Sequence, residues 1–222
     1  MKFRSPFQGL PREVSILTSI SFLVAIGFGV IIPAIPIFAK SFNVSNTLIG
    51  LVISSFAIMR FVSGLFSGKL VDRFGERIVL GFGLLTVSAF TLVAGLAQSY
   101  SQLLLFRSAG GLGSSMFTIA AGALLLRVVG DSQRGRAQSL YNGGFIAGGV
   151  AGPAFGGALL AISPRAPFFI YSGLLVIAGI FAITFLHEKR LGKSENPQES
   201  NTQVMTIKEA LQLSAYRYSL IL

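Results

Sequence analysis

Residues able to do chemistry are few in this chain and unevenly placed. Its 222 residues include one histidine, His187, no cysteine and eight acids: Glu13, Asp72, Glu76, Asp131, Glu188, Glu195, Glu199 and Glu209. None of the acids stands in the middle of a long apolar run. The apolar runs hold no paired carboxylates, and a Cys/His cluster and a Gly-x-Ser-x-Gly elbow are missing, so hydrolytic and metal chemistry lack their residues. Gly64-x-x-x-Gly68-Lys69 is one residue short of a phosphate-binding loop and is followed by Leu70 instead of Ser or Thr. No catalytic residue, metal or cofactor is therefore assigned. Two of the 18 basic residues, Arg60 and Arg107, lie inside apolar runs. A guanidinium at the centre of a membrane helix costs ~2.5 to 3.5 kcal/mol and is usually directed at a cavity, a counter-charge or carbonyls. For Arg107, about one turn (~6 Å) inside its run, snorkelling to the interface is the competing reading. Arg60, two turns before Gly68, reads as pointing down to the cytoplasmic surface.

Composition identifies the solvent these charges avoid. With 52% hydrophobic and 12% charged residues and a mean hydropathy of +0.73, the chain lacks the polar surface that a water-soluble protein of this length needs. The net charge of +10 is spread in short clusters beside apolar segments, which fits anionic lipid and membrane orientation and not nucleic acid.

Six runs are long enough, at about 20 residues or more, to cross a bilayer: residues 14–39, 48–67, 78–97, 102–126, 137–162 and 167–187. Together, residues 1–187 read as an all-α membrane protein, a six-helix transmembrane bundle. The N-terminus, the loop after Gly68, the loop from Arg127 to Arg136 and the tail after His187 carry most basic residues, while the opposite loops carry only Lys40 and Arg165. The positive-inside rule then places both termini in the cytoplasm. Residues 188–205 read as a polar linker. Residues 206–222 read as a short amphipathic helix, with a Thr206/Glu209 capping box, and the start of a seventh span.

Four motifs punctuate these runs. Gly68-x-Leu-x-Asp72-Arg73-x-Gly75-x-Arg77 separates the second and third runs. Pro33 and Pro36 end the first, where each removes a helical hydrogen bond and frees the carbonyls of Gly29 and Ile32. Arg107-x-x-x-Gly111-x-Gly113 opens the fourth. In the fifth, Gly144, Gly148, Gly152 and Gly156 recur every four residues, with Pro153 and Gly157 beside them. That spacing advances only ~40° per step, so the glycines form a slowly turning groove into which another helix fits.

Taken together and in this order, the motifs resemble those of major facilitator superfamily transporters, over nearly all of residues 14–187. The first-helix prolines and Gly148-x-x-x-Gly152-Pro153-x-x-Gly156-Gly157 are similar to the drug/proton antiporters of its twelve-span branch. Two positions depart from the pattern: Glu76 stands where a basic residue is usual, and Gly110 where a polar one often is. The resemblance implies the amino-terminal six-helix half of an exporter in the plasma membrane, moving small amphiphilic molecules by alternating access against protons. Its partners are then the bilayer, the solute and a carboxy-terminal six-helix half. It implies a gate at Gly68, Asp72, Arg73, Gly75 and Arg77, and a path near Pro33, Pro36, Arg107, Gly111 and Gly113. For the prolines, a kink tolerated in a packed bundle competes with a place in that path. A facilitator for another small solute and a non-transporting membrane module are the alternative functions.

Overall fold

The computed structural model describes residues 7–186. His187 and the segments 188–205 and 206–222 lie outside the described residues. Among the described residues, seven α-helices follow in order: α1 Arg12–Ile31, α2 Ala34–Lys40, α3 Asn46–Phe74, α4 Glu76–Gly95, α5 Tyr100–Val128, α6 Arg134–Leu160 and α7 Ala166–Phe185. With α1 and α2 counted as one span, six segments are long and apolar enough to cross a membrane.

Local chemistry sets the helix ends. The run at 14–39, expected as one kinked helix, is two, because Pro33 has no N–H to offer Gly29 and the chain turns at Ile32 and Pro33 before α2 starts. Pro36 sits in the first turn of α2, where an N–H has no intrahelical partner to lose. Ser45 caps α3 by accepting from the Leu48 N–H at 3.4 Å. Ser99 caps α5 by accepting from the Gln102 N–H at 3.3 Å, and the Gln102 side chain in turn accepts from the Gln98 N–H. A single 3₁₀ turn at Asp131–Gln133 leads into α6.

The loop expected from Gly68 to Leu80 is corrected. Helix α3 continues through Gly68, Asp72 and Arg73 to Phe74, and α4 begins at Glu76, leaving Gly75 alone as the joint. Its backbone, φ 86° and ψ 157°, lies in a region open essentially to glycine. Lys69, Asp72 and Arg73 are exposed on the last turns of α3, so charge there needed no loop.

Helix α1 packs chiefly on α6 and α7, α4 on α5 and α7, and α3 on α5. Leu17, Ile20, Leu80, Leu84, Leu103, Leu124 and Phe168 fill the interior. Lipid tails are as apolar as leucine, so helices associate through close packing and interhelical hydrogen bonds. Ser88 and Ser172 supply one such link between α4 and α7, their hydroxyls 2.9 Å apart. Ser21 donates to the Tyr141 carbonyl at 3.2 Å, joining α1 to α6. The α3 and α6 segments are the least covered, with 17% of their apolar windows buried against 56% for Arg12–Lys40 and for α4.

Candidate functional site

A cavity of about 210 Å³ opens among five helices. Val24 and Phe28 of α1, Phe117 of α5 and Phe145 of α6 give it apolar and aromatic walls. Its polar groups are Arg60 from α3, Ser114 and Thr118 from α5, Tyr141 and Asn142 from α6, and Tyr171 from α7. Arg60 and Thr118 also line a more open depression of about 440 Å³ with Ala57, Phe61, Gly64 and Ser115. Arg60 donates to the Thr118 hydroxyl at 3.1 Å, and among the described residues it has no ion-pair partner.

Close approach of α3 and α5 puts Arg60 there. A Cβ on Gly111 would lie 2.6 Å from the Phe56 carbonyl oxygen and 2.8 Å from the Arg60 nitrogen, so only glycine lets the two backbones come this near. Ser115 ties the same seam, its hydroxyl 2.7 Å from that of Ser63 and 3.0 Å from that of Ser67. Gly113 faces α4, where a Cβ would meet the Gly83 carbonyl. Gly111 and Gly113, expected beside the solute path, are contact points between helices and do not line the cavity.

Arg107 is also outside the cavity wall. It is 3% exposed, so it does not snorkel. Its guanidinium lies 3.9 Å over the Phe56 ring, a cation–π contact of the kind that desolvation strengthens. Its Nε has no hydrogen-bond partner among the described residues. Pro33 and Pro36 shape the α1–α2 break and are likewise not among the lining residues.

The expected glycine groove receives α1. A Cβ on Gly148 would come 2.5 Å from the Phe22 carbonyl, on Gly152 2.5 Å from that of Ile26, and on Gly156 2.5 Å from that of Val30. Gly144 meets Thr18 in the same way. From the other side Gly29 faces Gly152 and Pro153. Gly157 points elsewhere, with nothing within 4 Å of its would-be Cβ. This seam holds α6, and with it Tyr141, Asn142 and Phe145, against α1.

Of the expected gate residues, Gly68 has open space around a would-be Cβ and Asp72 is exposed. The Arg73 guanidinium lies 5.5 Å from the Phe74 ring. Arg77 donates to the Ile183 carbonyl and so binds α4 to the end of α7. Glu76, which departs from the usual pattern, is 1% exposed. Its Oε1 lies 2.9 Å from Nη1 of Arg127, which also donates to Oε2 at 3.1 Å, a clasp between the start of α4 and the end of α5.

Arg60 is the residue the sequence undervalued. With the second run ending at 67, it stood near a helix end; with α3 spanning Asn46–Phe74 it is fourteen residues from either end, about 21 Å at ~1.5 Å per residue. Its guanidinium turns across to Thr118 of α5 and the cavity.

A family model described as Major Facilitator Superfamily matches residues 17–221. Quinolone resistance protein NorA of Staphylococcus aureus is 26% identical over 199 residues, covering 88% of this chain and 50% of that protein. Multidrug resistance protein 2 of Bacillus subtilis is 30% identical over 191 residues, 84% of this chain and 48% of its own length. The chain thus spans about half the length of the curated relatives it matches.

Proposed function

This chain belongs to the major facilitator superfamily and is an integral membrane protein, and from that premise we propose that it is the amino-terminal half of an exporter of small amphiphilic molecules. The observation that carries this reading is the cavity itself: a pocket with aromatic walls and a mid-helix guanidinium, at the junction of five spans. Relatives named for quinolone and multidrug resistance support the direction, outward, and the breadth of the solute class. In this reading residues 1–187 form one bundle, 188–205 a cytoplasmic linker, and 206–222 an amphipathic helix leading to a second bundle. Charge bias puts the termini on the cytoplasmic side of the plasma membrane.

The mechanism is alternating access, in which two bundles rock about a site between them. Helices α3 and α6, the least covered, carry exposed apolar side chains such as Phe61, Leu65, Val150 and Phe155, a surface for the second bundle to close on. Asp72, Arg73 and Arg77 act at the cytoplasmic gate, with Gly75 as the joint and the Glu76–Arg127 clasp holding it to α5. Proton antiport needs a protonatable group in the path. The described acids, Glu13, Asp72, Glu76 and Asp131, stand at or near helix ends, and a guanidinium stays charged. The coupling carboxylate therefore belongs to the carboxy-terminal half or to Asp72.

Proteoliposomes holding the complete transporter test this. Collapsing the pH gradient should abolish uphill export of a fluorescent amphiphile. Export undiminished with both pH gradient and membrane potential removed excludes antiport, and strictly downhill flux assigns the chain to a facilitator.

A further inference from the structure

Resting on the reading of the cavity as a solute path, we infer that Arg60 is a specificity residue for organic anions, and that this half of the site takes a flat aromatic carboxylate with its anionic end on the guanidinium.

Arg60 is exposed at the midpoint of α3. A guanidinium has five N–H donors in a planar fork, and the one hydrogen bond formed here goes to the neutral Thr118 hydroxyl. The two ion pairs among the described residues, Arg127 with Glu76 and Arg134 with Asp131, use other groups near helix ends. No carboxylate is among the residues lining its cavity, and a carboxylate, which pairs with the fork through two parallel hydrogen bonds, is the best partner for its unused donors. Phe28, Phe117 and Phe145 give the pocket aromatic walls for an aromatic body, and Asn142 and the tyrosines offer further polar contacts. A cationic solute meets a like charge at the same place, which selects against it. At about 210 Å³ the pocket is smaller than the ~300 to 1,000 Å³ typical for drug-sized ligands, which suits one or two fused rings.

The test measures binding of 1-naphthoate and of 1-naphthylmethylammonium to the full chain in nanodiscs of zwitterionic lipid. The chain has no tryptophan, so naphthalene fluorescence is read without an indole background. Naphthoate is expected to bind about tenfold tighter or more than the ammonium, the scale of a hydrogen bond to a charged group. Arg60→Gln should erase that preference and Arg60→Lys should keep part of it. Asn142→Asp, a near-isosteric change at an exposed wall position, should shift the preference toward the ammonium by placing a carboxylate in the cavity that Arg60 lines, and it decides the matter where Arg60→Gln does not fold. Equal binding of the two probes, preference for the ammonium, binding of neither, or variants that leave the preference intact would each overturn the inference. The same probes in proteoliposomes of the complete transporter separate this from the transport reading. Export of a cationic dye that naphthoate does not compete with refutes anion selection while transport stands. Naphthoate preference without flux of any solute upholds anion selection while the transport reading falls. Loss of naphthoate binding only in the complete transporter shows that a protein carboxylate occupies Arg60, which also refutes the inference.

Discussion

The α1–α6 seam and the α3–α5 seam both bring two backbones into contact, with different residues. Along α1–α6 the contact is made by glycines over three turns, Gly144 to Gly156, against the carbonyls and methyls of Thr18 to Val30. Along α3–α5 a single glycine, Gly111, marks the closest approach, and hydroxyls and a guanidinium complete it: Ser63, Ser67 and Ser115 together, and Arg60 with Thr118. The first seam is held mainly by dispersion and backbone complementarity, with the Ser21–Tyr141 hydrogen bond at one end. The second holds polar groups inside an apolar bundle, where each needs its partner. A seam of the first kind suits a fixed scaffold, and one of the second kind presents charge to a cavity. The difference implies that damage to α1–α6 shows first in folding and damage to α3–α5 first in solute binding.

The largest effect is expected from Gly152→Leu. A Cβ there meets the Ile26 carbonyl at 2.5 Å and the Gly29 Cα at 2.6 Å, backbone on both counts. The destabilisation should reach or pass the upper end of the ~1 to 3 kcal/mol typical of overpacking, read as loss of monodisperse protein on extraction. Gly157→Ala on the same helix, with open space around it, should stay within about 0.5 kcal/mol of the parent. Equal losses at the two positions would mean that helix propensity, and not the seam, sets the stability of α6.

Gly111→Ala should come next. Its Cβ presses on the α3 backbone at Phe56 and Arg60, and α3, which packs mainly on α5, is free to shift away. Folding should fall by ~1 to 2 kcal/mol, while naphthoate binding falls further because Arg60 is displaced from Thr118. Unchanged binding beside lost stability would place the two seams in one class.

Of the changes within the seams, Ser115→Ala should have the smallest effect. Interhelical hydrogen bonds in membranes average about 0.6 kcal/mol and reach about 1.7, and Ser115 lies within reach of both Ser63 and Ser67. A shift in reversible unfolding within that range is expected. A loss as large as that of Gly152→Leu would show that polar groups, not glycine contacts, carry the bundle.

Much of this was legible in one dimension because the bilayer imposes it. Apolar runs of spanning length must be helical, since lipid offers no partner to backbone N–H and C=O groups. The four-residue glycine period announced a groove whatever filled it, and the motif order gave the family. Helix ends were less legible: Pro33 was read as a kink within one span and Gly75 as part of a loop, whereas the helices break at both. The stretch from Gly68 to Phe74 misled because charge was read as loop, although exposed charged residues at a helix end are at ease.

By itself, then, the sequence determined an all-α membrane bundle, its family and the four-residue glycine groove of α6, because those follow from hydropathy, spacing and the lack of a Cβ. Tertiary structure decided which helix fills the glycine groove, that Arg107 is buried over Phe56 while Arg60 faces the cavity, and that Glu76 clasps Arg127. Those outcomes depend on the rotation of one helix against another, and rotation is fixed by packing among residues far apart in the chain.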